Sequence, residues 1–430
     1  MDDISGALLR EQRKRAGVGL RRVAGRSAWS VSAGHLSRVE RGERPVTPAI
    51  VAVYEQALGI RIADAAAQQQ WRPVELDTFQ PEAFTSTIGK VAAGGSPVEP
   101  VERLLEAAGT GNPSPPSRVG RAEVAHVEHA AAMIRQLDLR YGGALACQLA
   151  DGLLRWTISL RQSSMSDAVR ASLHTATGAL AMWAAWAAFD DGRHRAARNL
   201  STLALEAAVA ADDADLRAHV LADIAAQYSY LGHPEQCLTI LRLEGDERVG
   251  PAVRCVMHGV RAYAYAARQE AAACLREIDL AGQAGALAEA GPVPNWFGGF
   301  DPAHTQAVCG HAAALLAHRT GGDAERAEAY KRLTEAAGQL DPVGRGRAVT
   351  LCQARLALLH LTDGEVDEAA GWVRRLVAVA DGVRSVRLRR DLAAVNKAGS
   401  ARLDDPRAQV VAGQVGLAAP PPTSRPGGGR

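Results

Sequence analysis

Residues 31–48 (VSAGHLSRVERGERPVTP) hold the most concentrated set of side chains that could bind a polyanion. Leu36 and Val39 lie three apart, which places them on one apolar stripe of a short helix. Ser32 can cap the first turn of this helix, and Gly42 can end it. The opposite face offers small, hydrogen-bonding and cationic side chains, which are suited to base edges and phosphate oxygens.

Position along this helix predicts two kinds of contact, because the first turns of a groove-entering helix meet base edges and its far end meets backbone. Base-edge contacts are predicted for Ala33, Gly34, His35, Ser37 and Arg38. Phosphate contacts, which add affinity without reading sequence, are predicted for Ser32, Arg41, Arg44, Thr47 and Arg13. Two alternatives stay open for Arg38, a phosphate contact alone and a surface ion pair with Glu40 or Glu43. The basic run at residues 13–15 could equally be a solvated face.

Three further helical patterns surround this stretch within the first 60 residues. One precedes Gly17, one begins near Leu20, and one follows Pro48 and ends at Gly59. Residues 1–60 carry ten Lys or Arg against six acids, a net charge of +4, whereas the whole chain has only +2. A basic partner surface is therefore expected in the N-terminal region.

The segments LLREQRKRAG, LRRVA, VSAGHLSRVERGERPVTP and YEQALG together resemble the XRE, or lambda-repressor/Cro-like, helix-turn-helix domain over about residues 6–60. The resemblance implies a homodimer that binds double-stranded DNA at an inverted repeat. The chain departs from the family pattern between Ala24 and Val31, which are about two residues further apart than is usual. The register of the base-contacting residues depends on this stretch.

The remaining composition favours an all-α protein, because 47% of the 430 residues are hydrophobic but only 4% are aromatic. Residues 89–120 include 14 Gly, Pro or Ser among 32 and form the clearest linker. The predicted division is a DNA-binding domain at 1–60, a connecting segment with this linker at 61–120, a helical repeat domain for sensing and oligomerisation at 121–398, and a disordered tail at 399–430.

The region after the linker contains a recurring pattern, a turn residue followed five positions later by Ala or Cys and a helix. The pairs are Gly192 with Ala197, Gly232 with Cys237, Gln269 with Cys274, Gly322 with Ala327, and Gly364 with Ala369. The pattern resembles degenerate tetratricopeptide repeats, and the region resembles the helical sensor part that follows XRE domains in many actinobacterial regulators. The expected fold is thus a small helix-turn-helix domain followed by an α-solenoid of tetratricopeptide-like hairpins.

Stacked helix pairs curve and present a concave face that can bind a peptide, a small molecule or a protein. Trp183, Trp186, Tyr228 and Tyr230 are the candidates for such a surface. The alternative is that these aromatic side chains are core residues, since aromatic residues at helical spacing mostly are.

Other classes of site find little support. The six cysteines lack C-x-x-C spacing and are expected to be buried free thiols, and no metal or cofactor site is predicted. The Asp190–Asp191 and Asp212–Asp213 pairs fall at predicted helix ends, where acids oppose the positive end of the next helix. No nucleophile elbow or phosphate-binding loop occurs, so no enzymatic activity is expected. Without a signal peptide or membrane span, the expected location is the cytoplasm, on the nucleoid when DNA-bound.

Two functions therefore compete. The first is a sequence-specific transcriptional regulator whose helical repeat domain senses an effector and mediates dimerisation. The second is a repeat-domain adaptor that binds a protein partner and has only weak DNA anchoring.

Overall fold

The computed structural model describes residues 6, 9–10, 13, 18–25, 31–58, 80–95, 115–245, 248–380, 383–402 and 404–418. The chain divides into two compact units, residues 1–77 with 421–430, and residues 78–420. Several predicted features lie outside the described residues. They are most of the first helix, the longer stretch at 26–30 that precedes the predicted DNA-contacting helix, residues 61–79, the part of the linker at 96–114, and the end of the tail.

The first unit has three described helices, α1 (Leu20–Gly25), α2 (Ala33–Glu40) and α3 (Pro48–Leu58). They enclose a small core made of Leu9, Val23, Leu36, Val39, Ile50, Val53, Tyr54 and Ala57. Leu36 and Val39 are fully buried, which confirms the apolar stripe that their spacing predicts.

The second unit is also helical. Its helices are α4 (Pro81–Ala92), α5 (Arg121–Tyr141), α6 (Gly143–Ser159), α7 (Asp167–Asp190), α8 (His194–Ala210), α9 (Ala214–Tyr230), α10 (Pro234–Leu241), α11 (Pro251–Ala267), α12 (Ala271–Ala290), α13 (Pro302–Thr320), α14 (Asp323–Gln339), α15 (Gly346–Asp363), α16 (Val366–Ala380), α17 (Val386–Ala401) and α18 (Pro406–Ala418). The expected all-α class is confirmed, with a helix-turn-helix unit and then a helical repeat array.

Helices α7 to α18 pack as six successive hairpins. The first helix of each hairpin also packs against the first helix of the next, so α7, α9, α11, α13, α15 and α17 form one continuous layer. We call these six the inner helices. Pairwise packing of this kind is the arrangement of a helical solenoid.

The turns inside the hairpins match the sequence pattern at four of five places. Gly192, Gly232, Gln269 and Gly364 have φ between +62° and +89°, and each paired small residue is fully buried. The fourth pair in the chain is displaced, because Gly321 rather than Gly322 adopts the left-handed conformation, with φ +72°. Ala329 is consequently the fully buried small residue of that hairpin, and Ala327 is exposed.

The array closes on itself, because the beginning of the last inner helix, α17, returns to the ends of α5, α7 and α9. The Arg384 backbone N–H donates to the Tyr141 carbonyl oxygen at 2.7 Å. A Cβ at Gly142 would lie 2.0 Å from the Arg384 carbonyl oxygen, so this close approach of two backbones requires glycine. Further along α17, Arg390 donates to the Tyr230 carbonyl oxygen of α9 at 2.8 Å. The six inner helices therefore surround a central space.

The sequence-based boundaries of the helical domain differ from the structure at both ends. Residues 81–92, placed in the connecting segment, form α4, which buries Ile88 and Val91 and packs on α8 and α10. Residues 406–418, placed in the disordered tail, form α18, which packs on α16 and α17 and buries Val411 and Val415. In both cases a few apolar side chains at helical spacing suffice when an existing array covers them.

All six cysteines are buried and free, as their apolar contexts predict. Within the residues that the structure describes, no helix combines the length and apolar character needed to cross a membrane.

Candidate functional site

Helix α2 is held in place at its first turn by Ser32. The Ser32 backbone is extended, and its hydroxyl oxygen accepts a hydrogen bond from the His35 backbone N–H at 3.2 Å. This confirms the predicted N-cap. Gly42 follows the helix with φ +76°, a conformation that favours glycine and ends the helix where predicted.

Among the predicted base-contacting residues, Gly34, Ser37 and Arg38 lie on the side of α2 opposite to Leu36 and Val39, and Ala33 and His35 flank that side. Gly34 and Arg38 are exposed, and Ala33, His35 and Ser37 are half-buried. No hydrogen bond or ion pair joins the Arg38 guanidinium to another described residue, although its charge helps to lower the pKa of Glu43. Arg38 is thus a solvated cation with its five N–H donors available.

The predicted phosphate-contacting residues differ in how far they are engaged. Arg41 donates to Glu43 at 2.6 Å and to the Ser37 hydroxyl at 2.7 Å, all at the surface. These hydrogen bonds raise the pKa of Arg41 and lower that of Glu43. Arg44 is exposed, and the Thr47 hydroxyl accepts from the Ile50 N–H at the start of α3.

Arg13 faces inward instead. Its guanidinium donates to both Glu40 carboxylate oxygens, at 2.6 and 2.7 Å, and to the Val18 carbonyl oxygen. The Tyr54 hydroxyl donates to the same carboxylate at 2.8 Å. Glu40 is only 6% exposed, so this Arg13–Glu40–Tyr54 triad is a desolvated, charge-assisted cluster.

The triad changes the interpretation of Arg13. Its donors are used inside the domain, and a phosphate contact would require breaking a bidentate pair. Burial and the hydrogen bond to Glu40 raise the pKa of Tyr54, which keeps its hydroxyl protonated as a donor. The triad joins the first helical segment, the end of α2 and α3, and so fixes the direction of α2.

A second candidate site lies in the helical unit, where a cavity of about 220 Å³ occupies the space between the inner helices. Its lining comes from α5, all six inner helices and the loop before α13. The aromatic and charged lining residues are Arg135, Asp138, Trp183, Trp186, His219, Asp223, Tyr230, Tyr263, Phe297, Phe300, Asp301, His304, His311, Arg345, Arg347, Arg355 and Arg387. Because the array closes, side chains that are more than 250 residues apart in the sequence line the same cavity.

Three of the four aromatic residues proposed as a ligand surface line this cavity, namely Trp183, Trp186 and Tyr230. Tyr228 does not, because two residues along a helix turn its side chain to the opposite face. It is 2% exposed, donates to the Pro81 carbonyl oxygen at 2.9 Å and stacks on Phe84 of α4. Tyr228 is therefore a packing residue.

Asp190 does not itself line the cavity, but its fully buried carboxylate holds two arginines that do, Arg347 and Arg387. Its Oδ1 accepts from Arg387 and from Ser385, each at 2.8 Å, and its Oδ2 accepts from Arg347 at 3.3 Å. Arg347 also donates to Asp138 Oδ1 at 2.6 Å. Burial alone would raise the pKa of Asp190, but the guanidiniums outweigh it and hold that pKa below its ordinary value.

This network was missed by sequence reasoning, which placed Asp190 at a helix end opposing the next helix. That interpretation is correct for Asp213, whose carboxylate accepts from the Leu216 N–H at 2.9 Å. The only sequence signal for Asp190 was its position at the end of the long apolar run of α7, where an acid is unexpected.

Asp223 and the three histidines that line the cavity are mainly neutral at pH 7. Burial raises the pKa of Asp223 to about 8, with a hydrogen bond from Trp186 partly opposing it. Burial lowers the pKa of His219 and of His304 to about 4 each, and that of His311 well below its ordinary value. The 3.8 Å contact between His219 and Asp223 therefore joins two neutral groups.

Tyr230, Tyr263 and His311 form an aromatic cluster on the wall of the cavity, with ring centroids 4.6 to 5.9 Å apart. Arg387 lies over the Trp186 and Tyr230 rings, at 4.8 and 5.5 Å from their centroids. Such guanidinium and ring stacking makes a rigid wall that is both apolar and electropositive.

Comparison with known proteins informs the first unit. No curated protein and no solved structure matches the chain. Residues 6–71 match the family model of a helix-turn-helix domain, which covers α1, α2 and α3 and supports DNA as the partner of this unit.

Proposed function

We propose that this chain is a sequence-specific, DNA-binding transcriptional regulator. The observation that carries the proposal is the exposed, unpaired Arg38 on the outer face of α2, inside a region that matches a helix-turn-helix domain. Ser32 caps this helix and the Arg13–Glu40–Tyr54 triad anchors its end, so the outer face of α2 is preorganised for binding DNA.

Docking α2 in the major groove would bring Gly34, His35, Ser37 and Arg38 toward base edges. Arg38 is the member best able to read a base, because a guanidinium can pair bidentately with guanine. Ser32, Arg41, Arg44 and Thr47 would meet phosphates and set the register. An XRE-type assignment fits these positions.

The helical array would supply regulation. We assign it a sensing role for a small molecule, peptide or protein partner, and a part in self-association. A single small domain buries little surface, and two copies on half-sites one helical turn apart multiply specificity. The hairpins are consistent with a tetratricopeptide-like origin. Sedimentation of the full chain at several concentrations tests the expected dimer.

Selection from random DNA duplexes at physiological salt tests the central claim. We expect enrichment of one inverted-repeat motif. Arg38→Ala should weaken cognate binding by about 1–3 kcal/mol and relax the preference at one base pair. Arg10→Ala is the matched control, since Arg10 is exposed and its loss changes the net charge equally.

An equal loss on cognate and random DNA would make Arg38 a phosphate contact. If no motif is enriched, the adaptor function becomes the better one, with the helical array as a docking platform for a protein.

A further inference from the structure

We infer that the central cavity of the helical array binds a small aromatic carboxylic acid, with its ring between aromatic walls and its carboxylate on Arg135. The inference deepens the sensing role proposed above by giving the effector a chemical class. It depends on the cavity and not on DNA binding, so the two can fail separately.

The cavity has room for about one substituted ring system, and a second space of about 420 Å³ adjoins it and shares Arg135, Leu139, Asp301 and Arg345. At about 220 Å³ the cavity exceeds the roughly 150 Å³ cavity that accepts benzene. It is smaller than the roughly 300–1,000 Å³ pockets that hold drug-sized ligands.

The walls favour a flat ring. The aromatic side chains Trp183, Trp186, Tyr230, Tyr263 and Phe297 all line the cavity, and Tyr230 and Tyr263 are neighbours with ring centroids 5.4 Å apart. Aromatic rings prefer offset or edge-to-face neighbours, which these walls offer, and their packing adds about 0.5–1.5 kcal/mol per pair beyond area burial. An aliphatic chain would gain only the area term.

The charge of the cavity favours an anion. Arg345 pairs with Asp301, Arg355 with Asp391, and the pair Arg347 and Arg387 with Asp138 and Asp190. Each lining arginine is thereby balanced, except one.

Arg135 has no carboxylate partner among the described residues. It lies 5.9 Å from the centroid of the Trp183 ring, and burial together with the nearby Arg345 lowers its pKa. With Asp223 protonated and the histidines neutral, the lining therefore carries one uncompensated positive charge. A partly desolvated cation is stabilised by a paired anion, and a carboxylate matches the guanidinium fork.

Several buried polar atoms of the lining also lack a hydrogen-bond partner among the described residues. They are Asp138 Oδ2, His219 Nδ1, Asp223 Oδ2, Arg355 Nη2 and Arg387 Nη2. Asp138 is fully buried, and His219, Asp223 and Arg355 are at most 8% exposed. Unsatisfied buried groups are costly, so these atoms would accept or donate to polar substituents on the ring. A hydroxyl or a ring N–H on the ligand would use them.

Calorimetric titration of the full chain tests the inference with two acids, 4-hydroxybenzoate and indole-3-carboxylate, and with their two amides. Benzylamine serves as a cationic probe. We expect both acids to bind and to change tryptophan fluorescence, and the amides to bind at least about tenfold more weakly because they lack the charge. Equal affinity of acids and amides, no binding by either acid, or tighter binding of benzylamine would overturn the inference.

Variants localise the effect. Arg135→Gln should weaken acid binding at least about tenfold while leaving amide binding and the melting temperature nearly unchanged. Arg140→Gln is the matched control, because Arg140 lies on the same helix, is exposed and does not line the cavity. Unchanged acid affinity in Arg135→Gln, or an equal loss in Arg140→Gln, would refute the assignment. All measurements are made without DNA, so a failed DNA selection does not affect them.

Discussion

Arginine performs opposite tasks in the two units of this molecule. On α2, Arg38 is exposed and has no hydrogen-bond or ion-pair partner among the described residues, so its donors are available to another molecule. In the cavity, Arg347 and Arg387 are almost fully buried and share the carboxylate of Asp190. The comparison shows that burial decides whether a guanidinium is available to contact DNA or is part of an internal ion pair. In water its interaction with a carboxylate is worth little, whereas in the interior a lost partner is costly.

The largest expected effect comes from removing the shared carboxylate. Asp190→Ala leaves two buried guanidiniums without their common partner and should lower the free energy of unfolding by about 3–5 kcal/mol. Urea denaturation of the full chain, followed by circular dichroism, measures this loss.

Asp191→Ala is the neighbouring control. Burial raises the pKa of Asp191, whereas that of Asp190 is lowered, so the charge of Asp191 contributes no comparable stabilisation. A loss of similar size in both variants would contradict the shared-carboxylate interpretation.

The next effect concerns the anchor of α2. Glu40→Gln replaces the buried carboxylate that accepts from Arg13 and Tyr54, and should destabilise the first unit by about 2–3 kcal/mol. Because α2 then loses its fixed direction, DNA affinity should fall although no DNA-facing residue has changed. Glu43→Gln, which removes an exposed pair, should cost no more than about 0.5 kcal/mol. Equal stability of the two variants would show that the triad is not an anchor.

An effect of opposite sign is expected at Asp223. Its folded-state pKa of about 8 lies above the ordinary value of 3.8, so the folded state binds the proton more tightly than the unfolded state does. The stability that this proton contributes is complete below pH 3.8 and is lost as pH rises toward 8. Asp223→Asn should remove this loss and raise the free energy of unfolding at pH 8 by more than about 1 kcal/mol relative to the parent.

The comparison at pH 4 and pH 8 isolates the titration, since the variant and the parent should have similar stability at pH 4. A constant difference between them across this range would assign the effect to packing.

The sequence predicted those parts that depend on local spacing. The apolar stripe of α2, its Ser32 cap, the buried cysteines and four of five hairpin turns follow from residues within one or two helical turns of each other. The all-α class follows from composition. Three of the four predicted aromatic residues line the cavity, and Tyr228 does not, because adjacent helical faces cannot be told apart without knowing what covers them.

The remainder depends on residues far apart in sequence. Asp190 meets Arg387 across 197 positions, and Arg13 meets Glu40 across 27, so no local pattern records either contact. The predicted boundaries of the helical unit were also too narrow. They left out α4 and α18, which are stable only through the array that they cover.

The closure between α7 and α17 has a consequence for how the chain folds. An open solenoid unfolds piecemeal from its ends, since each repeat contacts only its neighbours. Here the first and last hairpins share one buried charge network, so neither end can fray without breaking it. Forming that contact requires closing a loop of 197 residues, so we expect it to form after the local hairpins. The array therefore folds and unfolds as one cooperative unit rather than hairpin by hairpin.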